Sequence, residues 1–186
     1  KHVARIRGKV REMTAMLNEF LSLERIEQGE VVCQPIAIDM VHLCIELIEE
    51  LRALTKNGQT ITYDHDGPDR SVTLDRQMLS NVITNLVTNA VKYSPEGKRI
   101  ALRTTMTAGR LKITVADEGM GIPAEDQPHL FERFFRGSNA TTIQGTGLGL
   151  NLVKRYLDLM HGTIAFSSGP GATSFHVELP QHLPLP

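Results

Sequence analysis

The 186-residue chain is 41% hydrophobic and 22% charged, with a formal net charge of −1. This composition supports a buried core and excludes a disordered chain, and the near-zero charge gives no reason to expect nucleic acid or an anionic membrane as a partner. No apolar run approaches the roughly 20 residues of a membrane span, and Cys33 and Cys44 fit neither a metal motif nor a disulfide framework. We therefore expect a cytoplasmic location.

The first predicted element is a long helix. Its apolar residues recur in steps of three and four, the heptad pattern of a helix packed lengthwise on other helices. They are Val3, Ile6, Val10, Met13, Leu17 and Phe20. The seam is narrower than the stripe of a helix that faces a globular core, so we expect a helix from a bundle. Gly29 is its predicted C-terminal cap.

After residue 30 the chain alternates between predicted strands and helices. Strands are predicted over 31–38, 60–63, 71–74, 99–107, 110–118, 163–168 and 173–179. Helices are predicted to start after Asp39 and Asp75 and to run over 148–160, where Gly162 is the predicted cap. The segment 119–147 shows little regular pattern. This order predicts an α+β fold, with a mostly antiparallel sheet and three helices on one face.

The helix after Asp75 carries an unusual polar stripe. Its apolar arc consists of Leu79, Val82, Ile83, Leu86 and Ala90. Asn85, Asn89 and Lys92 fall along the edge of that arc, although each asparagine costs about 0.5 kcal/mol relative to alanine. Taken alone, the stripe fits a ligand-binding groove and a plain polar boundary equally well.

Two glycine-rich stretches lie outside the helices. "DEGMGIP" (117–123) places Asp117 at a strand end, where a carboxylate can accept a hydrogen bond from an exocyclic amine, and its glycines allow close backbone approach. "GTGLGL" (145–150) opens a helix, so its bare N–H groups and the helix dipole predict a phosphate site. The second stretch matches neither the dinucleotide-binding fingerprint nor the P-loop.

Four stretches occur in one order: "NLVTNAVKYSP", "DEGMGIP", "LFERFFRG" and "GTGLGLNLVKRYLDLMHGTI". They resemble the N box, first glycine box, F box and second glycine box of sensor histidine kinases. The resemblance implies a two-layer ATP-binding fold over 30–186. It also implies that 1–29 is the second helix of a dimerisation hairpin, through which the full protein would form a homodimer.

The resemblance also implies an ATP site with Mg²⁺. At its phosphate end, Asn89 would bind Mg²⁺, Asn85 would lie beside it and Lys92 would contact phosphate. The segment from Arg136 to Thr146 would form a lid anchored by the F-box phenylalanines. Backbone N–H groups would come from Gly145, Gly147, Leu148 and Gly149. Arg133 and Arg136 would meet phosphate or a neighbouring helix, or remain solvated.

At the adenine end, the resemblance implies that Asp117 accepts from the base amine, with Thr173 assisting through water. Tyr93 would pack on the adenine or ribose. The residues that let the base approach would be Gly119, Gly121 and Ile122.

The implied reaction is transfer of the γ-phosphoryl of ATP to a histidine, followed by relay to an aspartate of a response regulator. The chain lacks the "SHELRTPL"-like acceptor box, so we expect a piece of a longer kinase, whose parent can carry a membrane anchor. Two alternatives remain: an ATPase like gyrase or heat-shock chaperones, and a non-catalytic nucleotide-binding module. The ATPases place a glutamate where this chain has Asn85. Asn151 departs from the small residue usual in the family.

Overall fold

The structure is a computed structural model that describes the backbone of residues 2–184 and the side chains of residues 10 and 13–184. Helix α1 spans His2–Glu27 and is followed by Gly29, the predicted cap, in the left-handed conformation (φ 71°). Val3 and Ile6 have side chains outside the described residues. Within the described part of the seam, Val10, Met13 and Leu17 are exposed.

The remaining elements follow the predicted order. They are β1 (Ile36–Asp39), α2 (Met40–Leu51), β2 (Thr60–Asp66), β3 (Ser71–Leu74), α3 (Arg76–Tyr93), β4 (Arg99–Thr107), β5 (Arg110–Asp117), α4 (Gly149–Leu159), β6 (Thr163–Gly169) and β7 (Ala172–Pro180). Asp39 and Asp75 cap α2 and α3, because their carboxylates accept from the backbone N–H of His42 and Met78. The first strand is shorter than predicted, since residues 31–35 have no regular structure.

Five strands form one sheet in the order β2-β4-β5-β7-β6, in which β2 and β4 are parallel and the other neighbours are antiparallel. β1 and β3 form a separate antiparallel pair. The α+β prediction with a mixed, mostly antiparallel sheet is therefore confirmed. The register places Asp117, the last residue of β5, directly opposite Thr173 near the start of β7.

The sheet has one covered and one open face. Along β4 and β5, the apolar residues Leu102 and Ile113 are buried, whereas Arg103 and Lys112 on the opposite face are exposed. Helices α2, α3 and α4 pack on the buried side, where α3 contacts both β4 and β5. This alternation is the period-2 pattern of a half-buried sheet. Packing on the buried face brings the C-terminal end of α3 close to Asp117, whose carboxylate accepts from Ser94 just after the helix.

The end of α4 differs from the prediction. His161, and not Gly162, takes the left-handed position after the helix (φ 56°). The N–H groups of His161 and Gly162 donate to the carbonyls of Asp158 and Leu157, the hydrogen-bond pattern of a Schellman motif. Gly162 is required for a different reason: a Cβ there would lie 2.5 Å from Leu179 Cδ2 and 2.9 Å from the Glu178 carbonyl oxygen.

Substitution of Gly162 by alanine should therefore destabilise the fold through overpacking. We expect Gly162→Ala to lower the free energy of unfolding by about 1–3 kcal/mol in urea titration. Gly169→Ala is the control, because a Cβ at Gly169 meets nothing within 4 Å. Equal effects of the two substitutions would contradict the packing role of Gly162.

Candidate functional site

A cavity opens between α3, the segment 119–147, the first turn of α4 and the start of β7. All of the predicted site residues except Gly119 and Leu148 line it. Gly119 is buried behind Asp117, and the Leu148 side chain belongs to the hydrophobic core. The structure therefore brings together residues that are up to 88 positions apart in the chain (Asn85 to Thr173).

The polar stripe of α3 forms one wall of the cavity. Asn85, Asn89 and Lys92 all line it and are half-buried. The Asn85 amide donates to the Asn81 carbonyl at 2.9 Å, and its Oδ1 lies so close to Gly149 that a Cβ there would approach it to 2.7 Å. Asn85 thus packs α3 against the first turn of α4, and a side chain at Gly149 would displace the Asn85 amide.

Asp117 forms the deep end of the cavity, where its carboxylate is largely removed from water. Its Oδ1 accepts from the Gly119 N–H at 2.8 Å and from Ser94 Oγ at 3.4 Å. Burial raises the pKa of Asp117 to about 6, and these two hydrogen bonds only partly offset the shift. Thr173 lies opposite, with its Oγ1 2.9 Å from Ser168 Oγ. The buried Asp117 carboxylate and the Thr173 hydroxyl therefore lie on neighbouring strands at the same end of the cavity.

Arg136 makes hydrogen bonds within the segment that precedes α4. The Nη2 of Arg136 donates to the carbonyls of Ala140, Thr141 and Ile143, which closes this segment around one guanidinium group. Gly147 has φ 74°, and a Cβ there would lie 2.6 Å from the carbonyl carbon of Phe134. Close contact with the F box therefore requires glycine at this position.

Positive charge gathers beside the glycine-rich turn. Lys92 is half-buried; burial lowers the pKa of its ammonium group, Glu19 raises it and Arg136 lowers it further. An ideal Cβ on Gly145 would lie 3.8 Å from Lys92 Nζ. The far end of the cavity from Asp117 therefore combines two cations with the N-terminus of α4, an arrangement that favours anions.

The structure accounts for two residues that the sequence left open. Arg133 forms ion pairs with Glu24 and Glu27 of α1, so it meets a neighbouring helix. Asn151 donates from Nδ2 to the Phe131 carbonyl at 2.8 Å, which ties α4 to the F box. A small residue at position 151 could not make this hydrogen bond.

Sequence patterns missed several lining residues. Glu19 reaches the cavity from α1, although its place on the helix predicts only a solvated side chain. Asn139 donates to the Gly121 carbonyl at 3.0 Å, and Met120 lies between the two glycines of the first glycine box. Since these contacts depend on tertiary folding, the methionine between two glycines was their one local signal in the sequence.

Comparison with known proteins shows the family of this chain. The sequence profile of "Histidine kinase-, DNA gyrase B-, and HSP90-like ATPase" matches residues 74–183. The chain belongs to this family. The matched residues contain all four motifs and every cavity-lining residue except Glu19.

Two relatives that match are named as histidine kinases. The chain is 34% identical over 171 residues to the sensor-like histidine kinase SenX3 of Mycolicibacterium smegmatis, covering 90% of this chain and 44% of SenX3. It is 31% identical over 191 residues to the kinase/phosphatase MprB of Mycobacterium tuberculosis, covering 98% of this chain and 37% of MprB. The chain thus spans less than half of either relative. These matches confirm the resemblance to sensor histidine kinases over the gyrase-like alternative.

Solved structures agree on the fold. Full-length ShkA in complex with AMPPNP matches with a TM-score of 0.86 at 23% identity, over 100% of this chain and 39% of ShkA. The histidine kinase ThkA in complex with the response regulator TrrA matches with a TM-score of 0.75 at 21% identity, over 97% of this chain and 51% of that one. In the part of the chain that the structure describes, no helix has both the length and the hydrophobicity of a membrane span.

The buried carboxylate of Asp117 should make stability depend on pH. Its folded pKa of about 6 lies above the ordinary value of 3.8, so the native state holds the proton more tightly. The resulting stabilisation is fully present below about pH 4 and is lost as the pH rises through about 6. The lost free energy is roughly 3 kcal/mol, from the difference between 3.8 and about 6.

Urea unfolding of the nucleotide-free chain between pH 4 and 7.5 tests this expectation. Asp117→Asn is the matched variant because it keeps the shape and removes the titration, so other ionisable groups cancel in the difference. The stability of the variant relative to the wild type should rise with pH. A difference that stays constant across the range would contradict the raised pKa.

Proposed function

We propose that this domain binds Mg-ATP and presents its γ-phosphoryl group to a histidine imidazole for in-line attack, after which the phosphoryl group passes to an aspartate of a response regulator. One observation carries the proposal: a single cavity joins a buried carboxylate at one end to an amide, two cations and a glycine-rich helix start at the other. These ends match the base and the phosphates of one nucleotide.

At the adenine end, Asp117 would accept a hydrogen bond from the exocyclic amine, and Thr173 would reach the base through water. Gly121 lies against the β6–β7 turn, where a Cβ would come within 2.2 Å of the Gly169 carbonyl oxygen. Contact with this turn therefore requires glycine at 121, and the backbone there lines the cavity without a side chain, which would permit close approach by a planar base. Ile122 and Tyr93 supply apolar surface beside it.

At the phosphate end, Lys92 would act as a point charge and the turn over 145–149 would supply backbone donors. The N–H of Leu148 already points to Thr146 Oγ1 at 3.2 Å, so Leu148 positions the turn while its glycine neighbours face the ligand. Gly145, Gly147 and Gly149 line the cavity. Arg136 would join the phosphates by exchanging its carbonyl partners for them.

The cavity could hold Mg²⁺ only with the help of water and phosphate oxygens. Among the described residues, no group of three His, Cys, Asp or Glu side chains could hold a metal alone. Mg²⁺ takes few protein ligands and completes its octahedron with water and phosphate oxygens, so the single amide oxygen of Asn89 suits it. When bound, the ion would neutralise charge on the phosphates.

The chemistry that remains for this chain is positioning and charge neutralisation. Asn85 stands where gyrase-like ATPases place a catalytic glutamate, and an amide cannot take a proton from water. A histidine nucleophile needs no such base, because neutral imidazole presents a free lone pair. The site therefore supports transfer to histidine better than hydrolysis.

Two protein partners are proposed, a second copy of the chain and a response regulator. Its exposed seam, with Val10, Met13 and Leu17, fits a homodimeric helical bundle formed by residues 1–29, while 30–186 form the catalytic domain. The crystal complex of ThkA with TrrA supports a response regulator as the acceptor of the phosphoryl group. We place the parent kinase's catalytic part in the cytoplasm, where its two thiols would stay reduced.

Incubation with labelled ATP and Mg²⁺ tests the function. We expect the chain to bind nucleotide, to hydrolyse it slowly and to acquire no acid-labile phosphohistidine, because it contains no acceptor box. Joining it to a helix that carries a "SHELRTPL"-like box should produce labelling. Rapid hydrolysis without that helix would favour the ATPase alternative, and failure to bind ATP would favour the non-catalytic module.

Removal of the Asn89 amide should uncouple nucleotide binding from Mg²⁺. We expect Asn89→Ala to weaken binding of a non-hydrolysable ATP analogue about 10–100-fold with Mg²⁺ and to change it little in EDTA, as measured by calorimetry. Asn81→Ala is the control, since Asn81 lies two turns earlier on α3 and outside the cavity. Equal losses with and without Mg²⁺ would remove the metal role.

A further inference from the structure

Glu19 brings a negative charge from α1 to the phosphate end of the cavity. Its Oε2 accepts a hydrogen bond from Thr146 Oγ1 at 2.6 Å, across 127 positions of sequence. Glu19 lines the same cavity as Asn89 and Lys92 and raises the pKa of the Lys92 ammonium group, which is the direction expected of a nearby carboxylate. The catalytic scheme above gives this carboxylate no task.

The Glu19 carboxylate lies where the surrounding groups favour an anion. The same Thr146 hydroxyl accepts from the Leu148 N–H at 3.2 Å, immediately before α4 begins at Gly149. The helix N-terminus and Lys92 both favour negative charge here. A carboxylate therefore takes the place in which a nucleotide phosphate would gain the same interactions.

Docking of α1 holds Glu19 in place. Leu23, one turn further along α1, is fully buried in the core. Near the helix end, Glu27 pairs with Arg133 of the F box and with Arg155 of α4, the latter at 3.2 Å. Apolar burial and ion pairs thus fix the face of α1 that carries Glu19, while the exposed seam turns away.

We propose that Glu19 is a specificity-determining residue that disfavours the terminal phosphate of a nucleoside triphosphate while α1 is docked. The inference rests on the proposed nucleotide function. On this proposal, a diphosphate bound from the Asp117 end would leave Thr146 to Glu19, whereas the third phosphate of a triphosphate would compete with the Glu19 carboxylate for that position. Like charges at this partly buried point repel, so the docked domain retains ADP in preference to ATP.

Linkage makes the coupling reciprocal. If docked α1 weakens triphosphate binding by some factor, the triphosphate must weaken α1 docking by the same factor. ADP, which lacks the third phosphate, should leave α1 docked. The nucleotide state would therefore control whether α1, and with it the bundle that carries the acceptor histidine in a complete kinase, is free to move relative to the catalytic site.

The test compares affinities for AMPPNP and ADP, both with Mg²⁺, in the wild type and in Glu19→Gln. Glutamine keeps an oxygen that can accept from Thr146, so the substitution isolates the charge. We expect it to raise AMPPNP affinity about five- to tenfold and to leave ADP affinity unchanged within about twofold. Glu30→Gln is the charge-matched control, because Glu30 pairs on the surface with Arg25.

Hydrogen exchange of the α1 amides around Leu23 supplies the second measurement. In the wild type, saturating AMPPNP should accelerate their exchange relative to ADP, and Glu19→Gln should abolish that difference. An unchanged AMPPNP-to-ADP ratio in Glu19→Gln, with normal nucleotide binding by the wild type, overturns the proposal alone. Selective weakening of AMPPNP by the substitution also overturns it, because Glu19 would then serve as a ligand of the Mg-triphosphate. Absence of any nucleotide binding by the wild type overturns the proposed function as well.

Discussion

Burial of one side of α3 is the constraint on which the rest of the site depends. Leu79, Ile83 and Leu86 of its apolar arc are fully buried. Their packing against the sheet fixes the rotation of the helix about its own axis. Because residues three and four apart share a helix face, that rotation leaves Asn85, Asn89 and Lys92 along the cavity edge. The hydrophobic core therefore positions the polar side chains, although none of them contributes to it.

Around this wall the site uses desolvation at one end and concentrated charge at the other. Asp117 remains buried with only two hydrogen bonds, which keeps an acceptor available at a cost to stability. Lys92 and Arg136 crowd the opposite end, where an anion would relieve their mutual repulsion. Before a nucleotide binds, Glu19 supplies part of that negative charge, which ties the state of the site to the placement of α1.

Local patterns in the sequence predicted most of the architecture. Periodicity and caps located α2 to α4, and short β-rich runs located the strands from β2 onward, because these signals depend on residues within a few positions of one another. The same reasoning selected the stripe on α3 and the two glycine boxes. Resemblance to sensor histidine kinases then identified the family, which the comparison with relatives bears out.

Tertiary structure alone decided the contacts between distant residues. The hydrogen bond from Asn151 to Phe131 and the hydrogen bond between Glu19 and Thr146 depend on how separate elements dock, which no local periodicity records. The same holds for Gly162, whose sequence position suggested a cap. Its neighbour His161 takes the left-handed conformation, and Gly162 is required for another reason: close packing against β7 leaves no room for a side chain there.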